Sequence, residues 1–153
     1  MATQTTEIRT VVNKLIQVCR DGDQGFSAAA NALPADETLL KSELMQYSRQ
    51  RREFASDMES ELAQYGEEAV QHGTVSGALH RGWLSLKQGV SGNDRYAVLA
   101  ECERGEDAAV SAYREAAGSG LPSPIAELIE MQHQAIKRVH DRIRALRDAA
   151  KAK

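Results

Sequence analysis

Glu106 is a carboxylate standing where an apolar side chain belongs. Leu99, Cys102, Glu106, Ala109, Tyr113 and Ala116 follow one another at steps of three and four, so they share one face of a helix. Burying that carboxylate unpaired would be costly, so something positive must meet it, either a basic side chain or a metal ion. Arg51 is the mirror-image anomaly: it interrupts the seam Leu40, Leu44, Tyr47, Arg51, Phe54, Met58, Leu62.

A metal reading draws on Glu130-Met-Gln-His133, whose spacing puts a carboxylate and an imidazole on one helix face, a donor pair suited to iron or manganese. Di-iron bundles carry two such Glu-x-x-His pairs, with one further Glu from each of the two other helices. Here Glu106, Glu130 and His133 are the candidate ligands, and the four histidines are His72, His80, His133 and His140. None falls on the first two helices, so half of that donor set is missing, and a solvated or hydrogen-bonded role for Glu130 and His133 competes with ligation. No cofactor is expected on this balance, and iron or manganese is what the alternative implies.

His80 and Trp83 in ALHRGW share a face: they either cap the helices or form a ligand or partner surface. Cys19 and Cys102 read as reduced thiols packed as small hydrophobes, and Cys102 between two glutamates is a poor thiolate. His140 and Asp141 are adjacent, point to different faces and are not expected to act as a dyad. From Lys137 onward seven Lys or Arg face two Asp with no interleaved aromatics, which speaks against a nucleic-acid partner.

Composition narrows the class further. The formal charge of −3 is too small to imply a polyionic partner. No apolar run approaches the ~18 residues of a membrane span, and MATQTTEIRT lacks a secretory pattern, so the expected location is the cytoplasm, without membrane association.

The elements that position these residues are helices. The first is expected over Thr6–Leu33, with seam Ile8, Val12, Leu15, Cys19, Gly22, Phe26, Ala29, Leu33. Gly22 lies on that seam within RDGDQG, which implies either a kink or wide turn at residues 21–25, or room for a bulky polar group from a facing helix. Pro34 stops this helix and Asp36 is the expected N-cap of a second running to about Tyr65. A shorter helix is expected over residues 74–90. The third runs from an Asp94 N-cap to about Ala117, and the fourth from a Ser123 N-cap, with Pro124 at its first position, to the C-terminus. Its inward residues are Ile125, Leu128, Ile129, Gln132, Ile136, Val139, Ile143 and Leu146.

Two tight hairpins joined by a helical crossover give an all-α, ferritin-like four-helix bundle, with a short crossover helix between helices two and three, as a single domain over residues 1–153. In that order helices two and three run parallel. Arg51 lies 14 residues before Tyr65 and Glu106 lies 11 before Ala117, so their heights differ by only ~5 Å. They are expected to meet in the core as a polar network, with Asp21 or Asp23 as a third member.

The blocks CRDGDQGF, QRREF, ALHRGW, AECERGEDAAV, AYREA and HDRIRALRD resemble those of a group of uncharacterised bacterial ferritin-like four-helix-bundle proteins, over essentially the whole chain. The resemblance implies the ferritin-like fold and no activity. Two functions follow as expectations: a non-enzymatic structural or interaction protein with a salt-bridged core, or a metal-binding or redox protein with a partial carboxylate–His site. A third is a small-molecule binder using space beside Gly22 and Gly105. Val11, Ile16 and Leu39 read as spare apolar residues that would suit a homodimer.

Overall fold

The computed structural model describes residues 2–66 and 94–151, with side chains from residue 7. Among the described residues there are four helices and no strand: α1 is Ala2–Ala32, α2 Thr38–Ala63, α3 Arg95–Ala117 and α4 Ser123–Lys151. The helix expected over 74–90, with His80 and Trp83, lies outside the described residues.

Helix boundaries follow local chemistry. Asp94 caps α3, its side chain accepting from Ala97 N at 2.7 Å. Asp36 does not cap α2. The turn after Pro34 takes Ala35 and Asp36, closed by Glu37 N donating to Pro34 O at 3.0 Å. Glu37 therefore takes the cap position, without a side-chain cap bond, and its carboxylate receives Arg95 instead. Ser123 is also one step too late for a cap: Ala126 N already donates to Pro122 O, and the Ser123 hydroxyl donates to Glu127 at 3.2 Å. Helix α1 runs through residues 21–25 without interruption, so the wide turn expected there is absent. The propensity cost of Gly and Asp, ~0.5–1 kcal/mol each, is met by tertiary contacts on both sides of Gly22.

Each helix packs on two neighbours: α1 on α2 and α3, α4 on α2 and α3. That leaves α2 and α3 across one diagonal. Contacts along the seams fix the senses. Lys14 meets Glu115 and Cys19 meets Tyr113, so α1 and α3 are antiparallel. Glu43 meets Arg142 and Phe54 meets Gln132, so α2 and α4 are antiparallel. Arg95 pairs with Glu37 at 2.7 Å, placing the starts of α2 and α3 at the same end, so these two are parallel.

The inward seams are buried as their spacing requires, with one shift of phase. On α2 the buried set is Leu40, Leu44, Ser48, Arg51, Ala55, Met58 and Leu62, with Tyr47 and Phe54 only half-buried. The small Ser48 and Ala55 turn inward, and the aromatics settle at the rim, where the Tyr47 ring tilts against Phe26 at 5.4 Å between centroids. Ile16 is fully buried and so is no spare surface residue, whereas Leu39 is 88% exposed and Val11 half-buried.

The apolar core falls into two clusters. One gathers Leu15, Cys19, Met58, Leu62, Ala109, Tyr113, Ile129 and their neighbours. The other gathers Phe26, Leu33, Leu40, Leu44, Leu99, Cys102 and Ile143. On α1, α2 and α3 the boundary between them falls at Gly22, Arg51 and Glu106.

Candidate functional site

The boundary layer is a dry ion pair. Arg51 and Glu106 are both fully buried, with Nη1 to Oε1 at 2.5 Å and Nη2 to Oε2 at 2.6 Å. This fork-on-fork geometry satisfies both carboxylate oxygens at once. The remaining donors of the guanidinium are partly met by Gln50 Oε1, 3.3 Å from Nε, and the Phe26 ring lies 5.2 Å from the guanidinium carbon. Burial pulls the Arg51 pKa down, but the charge and hydrogen bonds of Glu106 outweigh it and hold the group above its ordinary value.

Gly22 makes this geometry possible. A Cβ there would stand 3.1 Å from Arg51 Cγ and 3.3 Å from Nη1, closer than a well-packed contact allows. Of the two aspartates beside it, Asp21 is buried on α1, and Asp23 turns elsewhere. Asp23 receives Arg52 on both carboxylate oxygens at 3.1 Å, while Ser48 Oγ reaches its carboxylate and its carbonyl.

A second buried polar feature lies in the cluster that holds Cys19, which is three residues from Gly22 on α1, and Tyr113, which is seven from Glu106 on α3. Gln132 Nε2 donates to the Phe54 carbonyl at 3.2 Å, which fixes its Oε1 as the acceptor for the Tyr113 hydroxyl at 2.6 Å. The Tyr113 proton is thereby committed, so the Cys19 thiol, 3.0 Å away, is the donor in that contact. One chain of hydrogen bonds thus touches all four helices. Desolvation raises the Cys19 thiol from 9.0 to about 11, only partly offset by Tyr113 and Arg51, so it stays protonated at neutral pH. Burial likewise raises Cys102, with Glu106 and Glu101 adding to it, and raises Tyr113. Neither thiol is poised as a nucleophile. Cys19 and Gln132 both appear on the apolar seams of the sequence; the signal for their link is a hydroxyl, an amide and a thiol on facing seams.

The three candidate ligands do not converge. Both Glu106 oxygens are taken by Arg51. Glu130 is exposed and accepts from Gln134 at 2.8 Å. His133 is half-buried, its ring stacked on Tyr113 at 6.4 Å and its Nε2 buried without a hydrogen-bond partner. Among the described residues no three His, Cys, Asp or Glu side chains are grouped to hold a metal ion. His140 departs from expectation in another way. Its Nδ1 does meet Asp141, at 3.1 Å, and its Nε2 meets Asp107 of α3 at 2.7 Å, a partner the sequence did not signal. Local side-chain torsions bring neighbouring residues together here despite their divergent directions on the helix.

Residues 7–119 match the family model described as Domain of unknown function (DUF2383). The chain belongs to that family. The DUF2383 match spans Gly22, Arg51 and Glu106, and ends before α4 begins, so the ion-pair layer lies inside it and the Gln132 end of the hydrogen-bond chain lies outside. A search of curated proteins found no match.

Proposed function

We propose that this DUF2383 protein is a ferritin-like four-helix bundle that works without catalysis, as a structural or interaction protein, its central layer closed by an ion pair instead of a metal. The observation that carries this is the Arg51–Glu106 pair: a fixed guanidinium occupies both oxygens of Glu106, a fully buried carboxylate at the middle of the core. The donor set fits iron or manganese poorly, because Glu106 is already neutralised and Glu130 points to solvent. The parallel α2 and α3 and the two short hairpin links support the ferritin-like connectivity, which the length of the stretch from 67 to 93 permits. Among the described residues no helix is long and apolar enough to cross a membrane. The cytoplasm remains the proposed location, and a homodimer the proposed assembly, with Leu39 the most exposed large apolar residue among the described residues.

A second reading, a metal-binding or redox protein, has one observation in its favour: the buried, unpartnered His133 Nε2 one turn from Glu130. Elemental analysis of untagged protein, before and after incubation with Fe(II) or Mn(II), separates the two. The preferred reading expects well under one metal per chain and the same content in Glu106→Gln. Stoichiometric metal lost in Glu130→Gln and His133→Gln would establish the alternative.

A further inference from the structure

Chain length fixes the sense of some helices and not others. Five residues separate α1 from α2 and five separate α3 from α4, so each pair must be a hairpin. Residues 67–93 could span ~90 Å if extended, enough either to run the ~39 Å length of α2 or to double back to the same end. The second hairpin could therefore lie on the first in either of two senses, and something in the core must choose.

The ion pair is a poor chooser. Arg51 is residue 14 of the 26 in α2, and Glu106 is residue 12 of the 23 in α3. Turning the α3–α4 hairpin end over end about this layer leaves Glu106 near mid-height, still within reach of an arginine. Tyr113 behaves differently. It lies seven residues, ~10 Å, to one side of Glu106, and the turn would carry it to the level now held by Leu99. The buried apolar side chains of α1 and α2 in that cluster are Phe26, Ala29, Ala30, Leu33, Leu40 and Leu44, and beside them on α2 stand the hydroxyls of Tyr47 and Ser48. In the inverted arrangement the Tyr113 hydroxyl and the Gln132 amide would lose Cys19 and the Phe54 carbonyl and meet only the Ser48 and Tyr47 hydroxyls, whose protons Asp23 and Glu43 already hold.

We propose that the off-centre hydrogen-bond chain Cys19–Tyr113–Gln132–Phe54 carbonyl selects the sense in which the α3–α4 hairpin docks, while the central Arg51–Glu106 pair sets only the height at which the hairpins meet. This stands apart from the function proposed above, since it holds whether or not the protein binds metal.

The test uses spin labels at positions 39 and 96, both exposed and both near the Glu37–Arg95 contact, attached through ketone-bearing residues so that Cys19 and Cys102 stay native. The otherwise native chain should give one short separation. In Tyr113→Phe/Gln132→Leu, which removes both polar partners together, a second population should emerge at roughly 35–40 Å, the length of α2. In Arg51→Met/Glu106→Leu the short separation should remain alone. Tyr113→Phe, which deletes one oxygen, gives the same readout to a smaller extent should the first double variant not fold. A single short population in either folded Tyr113 variant, or a long population in Arg51→Met/Glu106→Leu, would overturn the proposal.

Discussion

Arg51 and Glu106 face each other across the diagonal of the four helices, one guanidinium nitrogen on each carboxylate oxygen and neither side chain reached by solvent. A buried pair of this kind returns little net stability when intact and much destabilisation when halved, because the surviving charge has no water to turn to.

Glu106→Ala is therefore expected to cost ~3–5 kcal/mol. Arg51→Met/Glu106→Leu should cost far less and could exceed the native chain in stability. Urea melts of the two single variants and the double variant give the coupling directly. A coupling near zero would mean that the two side chains do not depend on each other.

Gly22→Ala should change sign with its background. In the native chain the added methyl meets Arg51 at 3.1 Å, and the guanidinium cannot retreat without loosening its hold on Glu106. A loss of ~1–3 kcal/mol is expected from this crowding. In an Arg51→Ala background the crowding is gone, and the helix-propensity gain of ~0.5–1 kcal/mol should show as stabilisation. Melts of the four chains check it.

The legibility of this layer in the sequence was uneven, for physical reasons. Arg51 and Glu106 stood out because each breaks an otherwise apolar three-four seam, and helix arithmetic, with these two helices taken as parallel, put them within ~5 Å in height. Gly22 was visible as a missing side chain on a third seam, but whether it meant a bend or a socket depended on what faced it. The inward turn of Ser48 and Ala55 was not legible, since Tyr47 and Phe54 are the more apolar choice at that phase and only close packing against α1 pushes them to the rim. The Asp23–Arg52 and Asp107–His140 contacts were equally hidden, because partners on different helices leave no mark in local spacing. Cys19 read as a small hydrophobe, which its burial supports, yet it is also a donor in the hydrogen-bond chain.

Alkali should expose the buried thiols. A folded-state pKa of about 11 for Cys19, against 9.0 for the free group, means that folding is favoured by the protonated thiol. That stability is fully present below pH 9 and is lost as pH rises towards 11, at ~1.4 kcal/mol per pH unit per thiol. The urea midpoint should fall over this range, and Cys19→Ala/Cys102→Ala should fall less steeply between pH 9 and 10. At pH 8 neither thiol should react with iodoacetamide until the chain unfolds.

His140 should titrate above 6.5. Burial opposes its charge, but hydrogen bonds from its two ring nitrogens to Asp141 and Asp107 outweigh it. Its contribution to stability is fully present below pH 6.5 and is lost as pH rises through the folded-state value. Imidazole proton shifts followed by NMR should give that raised value, and Asp107→Asn should lower it. Because both aspartates are mostly exposed, the effect on the melt should be small.

The charged layer also acts as a partition. The cluster around Leu15, Met58 and Ile129 and the cluster around Leu33, Leu44 and Leu99 lie on opposite sides of Arg51 and Glu106. A void opened on one side, by Leu44→Ala for instance, cannot be closed by sliding a helix lengthwise, because the forked pair would have to come apart first. Damage and repair are thereby local: each compartment has to be repacked from its own side chains, and each can accept new side chains without consulting the other. The protein is, in this respect, two small cores threaded on the same four helices.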